Sequence, residues 1–523
     1  MNLYKLLESQ ANSNPESIAV ESSAGSLTYG ELAHKSTSLA NYFTNKGVKR
    51  GDAVFIELPK NEEAIIALWA SLKIGACYVP INTQLKESTI GAIIKNCEPK
   101  ALVSDCSSKS LTLKACNKQH LELKAMILNE KGSLSENHAA ISWDDLPDNE
   151  NFASPAEEYF ETDLAYILHT SGSTGVPKGV QISNGAALAF IYWAKETFSV
   201  DEFCRLACTS PLHFDLSVFD IFVAVCVGAT NILIPNQYLL FPQSAKLYIE
   251  EKRVSHLYTV PFFLTQLVNN SDFKEGDFAT LKHLMFAGEV LPQRTLCSLQ
   301  SLLPETKLHN LYGPTETNVC SFYTVKQGHS YHNDLLIGKS ASSSQLYIVD
   351  ESFKEVSSGI QGQIAVSGPS LMSGYVGCPQ SSNDKFVQIQ CLDGEKVQLA
   401  YLTGDFGVLE RCGNIRFKGR QDEQIKRRGY RVELGEIGSL ISRVSQVHDF
   451  AVLSYKDEQD NTAIVCILVK SNEDISSAKL QNSIAQEIPH YMQPDKYVFM
   501  KEIPRTSTGK LARSELVNHI TNL

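Results

Sequence analysis

The chain has 523 residues, 43% of them hydrophobic and 20% charged, with a formal net charge of −11 at pH 7. This length predicts about three structural units that need no metal or disulfide staples. The acidic balance disfavours nucleic-acid and anionic-membrane partners, and the longest apolar run, 221–229, is far shorter than the roughly 20 residues that span a bilayer. Thirteen dispersed cysteines are typical of reduced thiols, so we expect a cytoplasmic protein.

Helices are predicted first along the chain, from apolar residues that recur at helical spacing. The first helix has one apolar face, formed by Leu3, Leu6, Leu7 and Ala11. A second helix, which ends at Gly47, has an apolar face formed by Leu32, Leu39 and Phe43.

Buried strands are predicted from short apolar runs at 101–104, 164–168, 231–234 and 283–286. The alternation of such runs with helical patterns favours an α/β fold built of layers. Beyond about residue 420 the sequence becomes strongly charged. We therefore predict an N-terminal domain of residues 1–420 and a smaller C-terminal domain of residues 421–523.

The sharpest local pattern is a strand that leads into a loop rich in glycine, serine and threonine. Residues 170–179 read Thr-Ser-Gly-Ser-Thr-Gly-Val-Pro-Lys-Gly. Glycines let the backbone approach an anion, amides and hydroxyls donate hydrogen bonds, and Lys178 adds a positive charge. Pro177 stands where the common nucleotide-binding loop has glycine, so this is a different phosphate-binding pattern. An ordinary flexible turn is the alternative.

This loop resembles the signature of the adenylate-forming superfamily, which includes acyl-CoA ligases, luciferases and nonribosomal peptide adenylation domains. Further stretches match in the family's order, at 214–217, 310–316, 401–405, 419–422, 428–436 and 507–510. The resemblance covers essentially the whole chain. It implies the adenylate-forming α/β fold, with a large N-terminal domain of layered α/β subdomains and a small, mobile α+β C-terminal domain that carries Lys510.

The resemblance also implies a site for ATP and Mg²⁺. Tyr312 would stack on adenine, Thr315 would touch phosphate, and Glu316 would help to hold Mg²⁺, which prefers carboxylate and phosphate oxygens. Asp405 and Arg420 would bind the ribose. The full cofactor-binding set is Thr170, Ser171, Gly172, Ser173, Thr174, Gly175, Lys178, Gly288, Glu289, Asn310, Tyr312, Gly313, Asp405 and Arg420.

Three residues carry the implied catalysis, namely Lys510, Glu316 and Thr315. Lys510 matches the lysine that bridges the substrate carboxylate and the α-phosphate, where two approaching anions need positioned cations. Asp422 matches the hinge about which the C-terminal domain rotates, and Gly429 matches the loop that lines the tunnel for a phosphopantetheine thiol. Taken singly, these residues could also be a solvated lysine and two surface turns.

Asp215 indicates which class of carboxylic acid the protein would activate. It follows Phe214 in an apolar stretch, where an unpaired carboxylate is costly, and a substrate ammonium would pair it. A turn or capping aspartate is the alternative. Carried over from the family, the pocket comprises Asp215, Leu216, Phe219, Thr259, Met285, Ala287, Leu311, Val319 and Cys320.

Apart from Asp215, the wall of this pocket has no charge and few polar groups, so it should reject charged and amide side chains. The set resembles stand-alone L-prolyl-AMP ligases, which makes L-proline the favoured substrate and alanine the alternative. An acyl- or aryl-CoA ligase is a second class, which Asp215 disfavours. A non-catalytic nucleotide-binding protein is a third, which the presence of Lys178, Glu316 and Lys510 disfavours.

The acceptor is expected to be separate from this chain. No carrier segment follows Lys510 before Leu523, so we expect a separate carrier protein, or CoA, to supply the thiol. A basic group could contact an acidic helix of such a carrier, or could form a solvated strand face; it comprises Lys426, Arg427, Arg428 and Arg431.

Overall fold

The structure is a computed structural model. It describes residues 2–105, 110–128, 140–147, 159–171, 177–328, 335–377, 384–392, 394, 397–420, 424–442, 444, 446–471, 476–504, 511 and 516. By compactness the chain divides into two units. The first lies within residues 1–83, 87–170 and 178–421, and the second within 84–86, 171–177 and 422–523.

Helices occur in both units. Within the described ranges the α-helices are α1 (Tyr4–Ser13), α2 (Tyr29–Asn45), α3 (Glu62–Lys73), α4 (Glu87–Cys97), α5 (Leu111–Lys118), α6 (Asn184–Thr197), α7 (Leu216–Val218), α8 (Ala224–Val227), α9 (Asn236–Leu239), α10 (Pro242–Glu251), α11 (Pro261–Asn270), α12 (Gln293–Leu302), α13 (Leu434–Ile441) and α14 (Ser477–Glu487). A π-helix covers Phe219–Val223, and 3₁₀ turns cover Trp143–Asp145 and His490–Met492.

Strands make up most of the remaining regular structure. In the same described ranges they are β1 (Ile18–Glu21), β2 (Ser26–Thr28), β3 (Ala53–Glu57), β4 (Cys77–Pro80), β5 (Ala101–Ser104), β6 (Ala125–Leu128), β7 (Ala140–Ser142), β8 (Leu164–Thr170), β9 (Lys178–Ser183), β10 (Arg205–Cys208), β11 (Thr230–Leu233), β12 (His256–Thr259), β13 (His283–Phe286), β14 (Lys307–Tyr312), β15 (Ser321–Thr324), β16 (Lys339–Ser340), β17 (Gln345–Val349), β18 (Gln361–Ser367), β19 (Gly374–Tyr375), β20 (Phe386–Gln390), β21 (Val397–Leu409), β22 (Ile415–Arg420), β23 (Gln424–Arg427), β24 (Tyr430–Glu433), β25 (Val447–Lys456), β26 (Thr462–Lys470) and β27 (Lys496–Phe499).

The two predicted N-terminal helices are confirmed as α1 and α2. Helix α2 begins with a capping box, in which the Thr28 hydroxyl accepts from the Glu31 backbone amide and the Glu31 carboxylate accepts from the Thr28 amide. It ends one residue before Lys46, and Gly47 follows with φ +81°, a conformation that glycine adopts without strain.

The predicted strands are confirmed with small shifts at their ends. Strands β5 and β13 have the predicted bounds, and every residue in them is buried. Strand β8 continues past 168 to Thr170, and β11 lies one residue earlier than predicted. Continuous burial is what parallel strands covered on both faces require.

Two mixed sheets form the main layers of the first unit. Within the described residues, one has nine strands in the order β16-β15-β14-β13-β12-β10-β11-β1-β2, with parallel pairing from β14 to β1. The other has eight strands in the order β19-β9-β8-β4-β3-β5-β6-β7, with parallel pairing from β8 to β7. Strands β17, β18, β20, β21 and β22 form a smaller antiparallel sheet. The predicted layered α/β architecture is confirmed.

The second unit is α+β. Strands β23 and β24 pair as a hairpin, and β25, β26 and β27 form a sheet. Helices α13 and α14 contribute Leu434, Ile437, Leu480 and Ile484 to the same hydrophobic cluster as Ile464 of β26. Among the helices of the described ranges, none combines the length and the hydropathy that a membrane span requires.

Three buried histidines stack across neighbouring strands of the nine-stranded sheet. The ring centroids of His256 and His283 are 5.0 Å apart, and those of His283 and His309 are 5.1 Å apart. His283 Nδ1 lies 3.0 Å from His309 Nε2, and the Thr324 hydroxyl lies 3.0 Å from His309 Nδ1. Burial and the neighbouring imidazoles lower the pKa of His283 to about 3, and burial lowers that of His309 to about 4.

The carboxyl ends of β12, β13 and β14 meet at one edge of their sheet. Their register pairs Thr259 with Phe286 and Phe286 with Asn310, so the residues that follow these strands lie side by side. In parallel sheets this edge is where ligands bind.

Candidate active site

The loop predicted to bind phosphate connects two strands that pair with each other, β8 and β9. Thr170 ends β8 and faces Lys178, the first residue of β9, in the antiparallel register. The pairing holds the two ends of the loop together. Ser171 is half-buried and groups with the second unit. The predicted residues Gly172, Ser173, Thr174 and Gly175 lie outside the described residues.

A tight loop follows Tyr312 at the end of β14. The Cys320 amide donates a 2.9 Å hydrogen bond to the Tyr312 carbonyl and closes the loop. A Cβ atom on Gly313 would lie 1.7 Å from the Asn318 carbonyl oxygen, so the close approach requires glycine. Thr315 is half-buried within this loop.

Glu316 lies in the same loop and is only 1% exposed. Its Oε1 accepts a 2.7 Å hydrogen bond from the Tyr375 hydroxyl, and its carbonyl accepts one of 2.8 Å from the Met372 amide. A carboxylate oxygen is the type of ligand that Mg²⁺ prefers. The described residues contain no cluster of three His, Cys, Asp or Glu side chains that could hold a metal ion. Glu316 would supply one such oxygen to Mg²⁺, and substrate phosphates and water would supply others, as is usual for this ion.

Asp405 is the centre of a buried polar cluster. Its Oδ2 accepts a 2.6 Å hydrogen bond from the Tyr312 hydroxyl, and its Oδ1 pairs with Arg420 Nη1 at 2.6 Å. Asp405 and Arg420 are register partners on β21 and β22. Burial raises the pKa of Tyr312, and the negative charge of Asp405 raises it further. The Tyr312 hydroxyl therefore stays protonated and donates at neutral pH. The three residues implied to contact adenine and ribose are therefore brought together.

Asp215 immediately precedes the short helix α7, and its side chain makes no capping hydrogen bond to that helix. The capping alternative is therefore wrong for this aspartate, whereas the alternative of a turn residue stands, because Asp215 lies in the turn that leads into α7. The carboxylate is half-buried and lies near Tyr166 and Tyr258. Burial is the main cause that raises the pKa of both tyrosines, and the negative charge of Asp215 adds to it.

Apart from Asp215, the residues carried over as the pocket wall are all buried. Six of them belong to one hydrophobic cluster: Leu216, Phe219, Met285, Ala287, Leu311 and Val319. Cys320 packs in the neighbouring cluster with Tyr312. The hydroxyl of Thr259 accepts a 3.1 Å hydrogen bond from Thr209, which satisfies its polarity inside the apolar surroundings.

Three further residues predicted to bind the cofactor lie along the same sheet edge. Gly288 follows β13 with φ +96°, and Glu289 beside it is half-buried. The side-chain amide of Asn310 donates a 2.9 Å hydrogen bond to the Leu336 carbonyl. This bond fixes the loop at Leu336 against β14.

In the second unit, Gly429 lies in the turn that joins β23 to β24. Arg428 and Gly429 have φ values of +54° and +84°, the two positive values that a type I′ hairpin turn needs. The turn alone is a sufficient structural reason for glycine here. Lys510 and Asp422, the predicted catalytic and hinge residues, lie outside the described residues.

The predicted basic group is not a uniform surface patch. Arg427 is 2% exposed, pairs with Asp495, and donates hydrogen bonds to the carbonyls of Tyr491 and Gln493. The positive charge of Arg427 is therefore paired within the second unit. Arg428, which is exposed, also contacts Asp495. This leaves Lys426 and Arg431 as the half-buried members of the group.

Tyr375 belongs to the site, although no sequence pattern identifies it. Its ring lies 5.3 Å from the Lys178 ammonium, and its hydroxyl binds Glu316. Strand β19, which carries it, has two residues and offers no periodic signal. Tyr375 is also 59 residues from Glu316 along the chain, so no spacing rule joins them.

Comparisons with known proteins cover both parts of the chain. The family model described as AMP-binding enzyme matches residues 7–376, and that described as AMP-binding enzyme C-terminal domain matches residues 436–510. The L-proline–[L-prolyl-carrier protein] ligase of Pseudomonas fluorescens is 31% identical over 97% of this chain and 97% of that protein. A D-alanine–D-alanyl carrier protein ligase of Bacillus cytotoxicus is 28% identical over 100% of both.

Larger proteins and solved structures also match. Bacitracin synthase 3 of Bacillus licheniformis is 29% identical over 98% of this chain, which spans 8% of that protein. The adenylation domain AlmE of Vibrio cholerae, in complex with glycyl-adenosine-5′-phosphate, has a TM-score of 0.86 at 22% identity and covers 100% of this chain and 98% of its own. At this identity the likeness concerns the fold, and it confirms the predicted fold of adenylate-forming enzymes.

Proposed function

The chain belongs to the AMP-binding enzyme family of adenylate-forming ligases, and on this premise we propose that it activates an amino acid, L-proline in preference, for transfer to a carrier protein. ATP and the amino acid give aminoacyl-AMP and pyrophosphate. The aminoacyl group then passes to the phosphopantetheine thiol of a separate carrier protein. We place this activity in the cytoplasm, where the described cysteines would remain the free thiols that they are here.

One observation carries the choice of an amino acid, namely Asp215 beside the apolar cluster. Its carboxylate is half-buried and lies near the buried Tyr166 and Tyr258. A half-buried carboxylate next to buried apolar side chains favours a cationic partner. The α-ammonium of an amino acid, or the ring NH₂⁺ of proline, supplies that charge. Fatty and aryl acids lack it.

The first chemical step joins two anions. A carboxylate oxygen of the amino acid attacks the α-phosphorus of ATP, and the bond to the β-phosphate oxygen breaks to release pyrophosphate. Lys178, next to the phosphate-binding loop, and Lys510 supply positive charge for this approach. Mg²⁺ bound at Glu316 would neutralise further phosphate charge.

In the second step the carrier thiol attacks the aminoacyl carbonyl. The C–S bond forms, the C–O bond to AMP breaks, and the thiol proton passes to solvent. We propose that the hinge at Asp422 first moves Lys510 away, and that the turn at Gly429 then borders the path of the phosphopantetheine arm.

We favour proline over alanine as the substrate on two grounds, the similarity to a proline ligase and the size of the apolar residues in the proposed pocket. The proline ligase of Pseudomonas fluorescens shares 31% identity over nearly its full length, against 28% for the D-alanine ligase. Leu216, Met285 and Leu311 of the proposed pocket are large, apolar and buried. A pyrrolidine ring would bury more apolar surface against such residues than a methyl side chain would. Alanine is the second candidate, and because one methylene discriminates by only about 1–3 kcal/mol, amino acids of neighbouring size are also expected to react.

Amino-acid-dependent exchange of labelled pyrophosphate into ATP tests the proposal. We expect the highest exchange with L-proline among the proteinogenic amino acids, D-alanine, fatty acids and benzoate. Highest exchange with either enantiomer of alanine would replace proline by the second candidate. Highest exchange with aspartate, lysine or a fatty acid would contradict the assignment of the pocket.

A further inference from the structure

Tyr375 touches two groups that the proposed function assigns to the nucleotide, and these groups lie far apart in sequence. We propose that Tyr375 is a positioning residue, which holds Glu316 for Mg²⁺ and Lys178 for phosphate in one fixed arrangement. The inference rests on the proposed function for the identity of the nucleotide and the metal. What it adds is that one tyrosine couples the side chains of Glu316 and Lys178.

The hydroxyl of Tyr375 fixes the acidic partner. It donates a 2.7 Å hydrogen bond to Glu316 Oε1, and both residues are at least 95% buried. A charge-assisted hydrogen bond at this distance is short and directional. It sets the plane of the carboxylate, and partners that orient a metal ligand typically change metal affinity or activity 10- to 100-fold when they are removed.

The ring of Tyr375 faces the basic partner. The Lys178 ammonium lies 5.3 Å from the ring centroid, within the range of a cation–π interaction. Tyr375 pairs with Val180 where β19 joins β9, two residues beyond Lys178. The ring therefore limits the space that the lysine side chain can explore.

The backbone around Tyr375 ties the same two regions together. The Met372 amide donates to the Glu316 carbonyl, and the Val376 amide donates to the Gly179 carbonyl. Between them, the Ser373 amide donates to the Gln181 carbonyl. The segment 372–376 is thus bound at one end to the loop after β14 and at the other to the strand after the phosphate-binding loop.

A second tyrosine extends the coupling toward the ribose cluster. The hydroxyls of Tyr375 and Tyr401 are 3.3 Å apart. Tyr401 is 1% exposed and lies on β21, four residues before Asp405. Tyr375 therefore occupies the centre of a buried arrangement that reaches the three regions assigned to metal, phosphate and ribose.

The test compares nucleotide binding with and without Mg²⁺, by isothermal titration of ATP into the full-length protein. Tyr375→Phe removes only the hydroxyl and keeps the ring over Lys178. We expect unchanged affinity for Mg²⁺-free ATP, and a 10- to 100-fold higher Mg²⁺ concentration for half-maximal tightening of ATP binding. Tyr375→Leu removes the ring as well and should also weaken Mg²⁺-free ATP binding.

A double-mutant cycle with Glu316→Gln separates positioning from general damage. Because Tyr375 acts on Mg²⁺ through Glu316, Tyr375→Phe should add little to the Mg²⁺ defect of Glu316→Gln. Fully additive defects, or a normal Mg²⁺ requirement in Tyr375→Phe, would overturn the proposal. If Mg²⁺ does not change ATP binding by the unaltered protein, the proposed function fails and not the coupling alone.

Tyr42→Phe is the matched control, because Tyr42 is also buried and its hydroxyl donates to the Met126 carbonyl away from the site. It should leave the Mg²⁺ requirement unchanged and lower the thermal midpoint by about as much as Tyr375→Phe. Unfolding of Tyr375→Phe under conditions where Tyr42→Phe is folded would assign Tyr375 a structural role and overturn the proposal.

Discussion

The hydroxyl of Tyr312 donates a 2.6 Å hydrogen bond to Oδ2 of Asp405, 93 residues further along the chain. Arg420 binds the other oxygen of the same carboxylate at 2.6 Å. One buried carboxylate thus unites the end of β14 with the paired strands β21 and β22. The relationship makes the proposed adenine contact and the proposed ribose contacts mutually dependent.

Tyr312→Phe should weaken ATP binding although the ring is retained. It removes a hydrogen bond to a charged group, worth about 1.5–3 kcal/mol, and so loosens Asp405. We expect ATP affinity, measured by equilibrium binding, to fall about tenfold. Asp405→Ala should weaken ATP binding more than Tyr312→Phe does. It should also lower the free energy of unfolding by about 3–5 kcal/mol, because it leaves the Arg420 guanidinium buried without this partner. Normal ATP affinity in Tyr312→Phe would show that the two contacts are independent.

Asp215→Ala should separate amino-acid binding from ATP binding. If Asp215 contacts the substrate ammonium, its removal costs about 3–5 kcal/mol of amino-acid affinity and leaves the ATP affinity unchanged. The measurement is the KM for proline in pyrophosphate exchange, beside equilibrium binding of ATP. Asp215→Asn, which keeps the size and removes the charge, should show most of the same loss. An unaltered KM for proline in both variants would remove Asp215 from the pocket.

Lys510→Ala should impair only the first half-reaction. Loss of one preorganised cation is expected to slow adenylation about 10²- to 10³-fold. Transfer from supplied prolyl-AMP to a carrier thiol, followed in a single turnover, should continue at the normal rate. A similar loss in both steps would argue that Lys510 stays at the site throughout.

Asp422→Pro should have the reverse effect. Proline fixes φ and resists the backbone change that a hinge requires. We expect normal pyrophosphate exchange and a loss of transfer from prolyl-AMP to the carrier. A folded variant that performs both steps normally would place the hinge elsewhere.

Much of the fold follows from the sequence, and particular residues show why. The run 283–286 has the bounds of β13 because its four residues are buried between two parallel neighbours. Helix α2 contains the predicted apolar face of Leu32, Leu39 and Phe43, and it ends at Asn45, two residues before the predicted stop at Gly47. The predicted end of β11 is one residue too late, since Ile234 is just as buried as the strand that precedes it.

The site is harder to predict than the fold. Motifs identify Tyr312, Asp405 and Arg420, but no motif states that the tyrosine binds the aspartate, because the bond depends on the pairing of distant strands. No motif identifies Tyr375 either, because its contacts also join distant parts of the chain. The charge pattern places Arg427 in a surface group, whereas the sheet of the second unit buries it beside Asp495. Local patterns identify residue types, and tertiary pairing decides their partners.

Acid should weaken the fold through the histidine stack. In the unfolded chain an imidazole takes up a proton near pH 6.5, while in the folded chain the pKa of His283 is about 3 and that of His309 about 4. The unfolded state therefore binds more protons as the pH falls from 6.5 toward 4, and stability decreases over that window. Burial also lowers the pKa of His256, with Lys282 as a smaller contribution.

Urea unfolding between pH 7.5 and 4.5 measures this dependence. His309→Gln should reduce its slope by about 1.4 kcal/mol per pH unit, the effect of one proton fewer taken up on unfolding. His448→Gln, at an exposed position, is the control and should leave the slope unchanged. Equal slopes in all three proteins would mean that the stack does not govern acid stability.

The parallel pairing of β1 with β11 has a consequence for how the protein is made. Val20 faces Asn231 in this pair, so a segment synthesised at the start waits for one that emerges about 200 residues later. At about 5–20 residues per second, the wait on the ribosome is roughly 10–40 s. Throughout that time β1, whose Ala19 and Val20 are both buried in the folded protein, has no partner strand from β11. Chaperone demand during translation should therefore peak before residue 231 emerges and fall once the nine-stranded sheet can close.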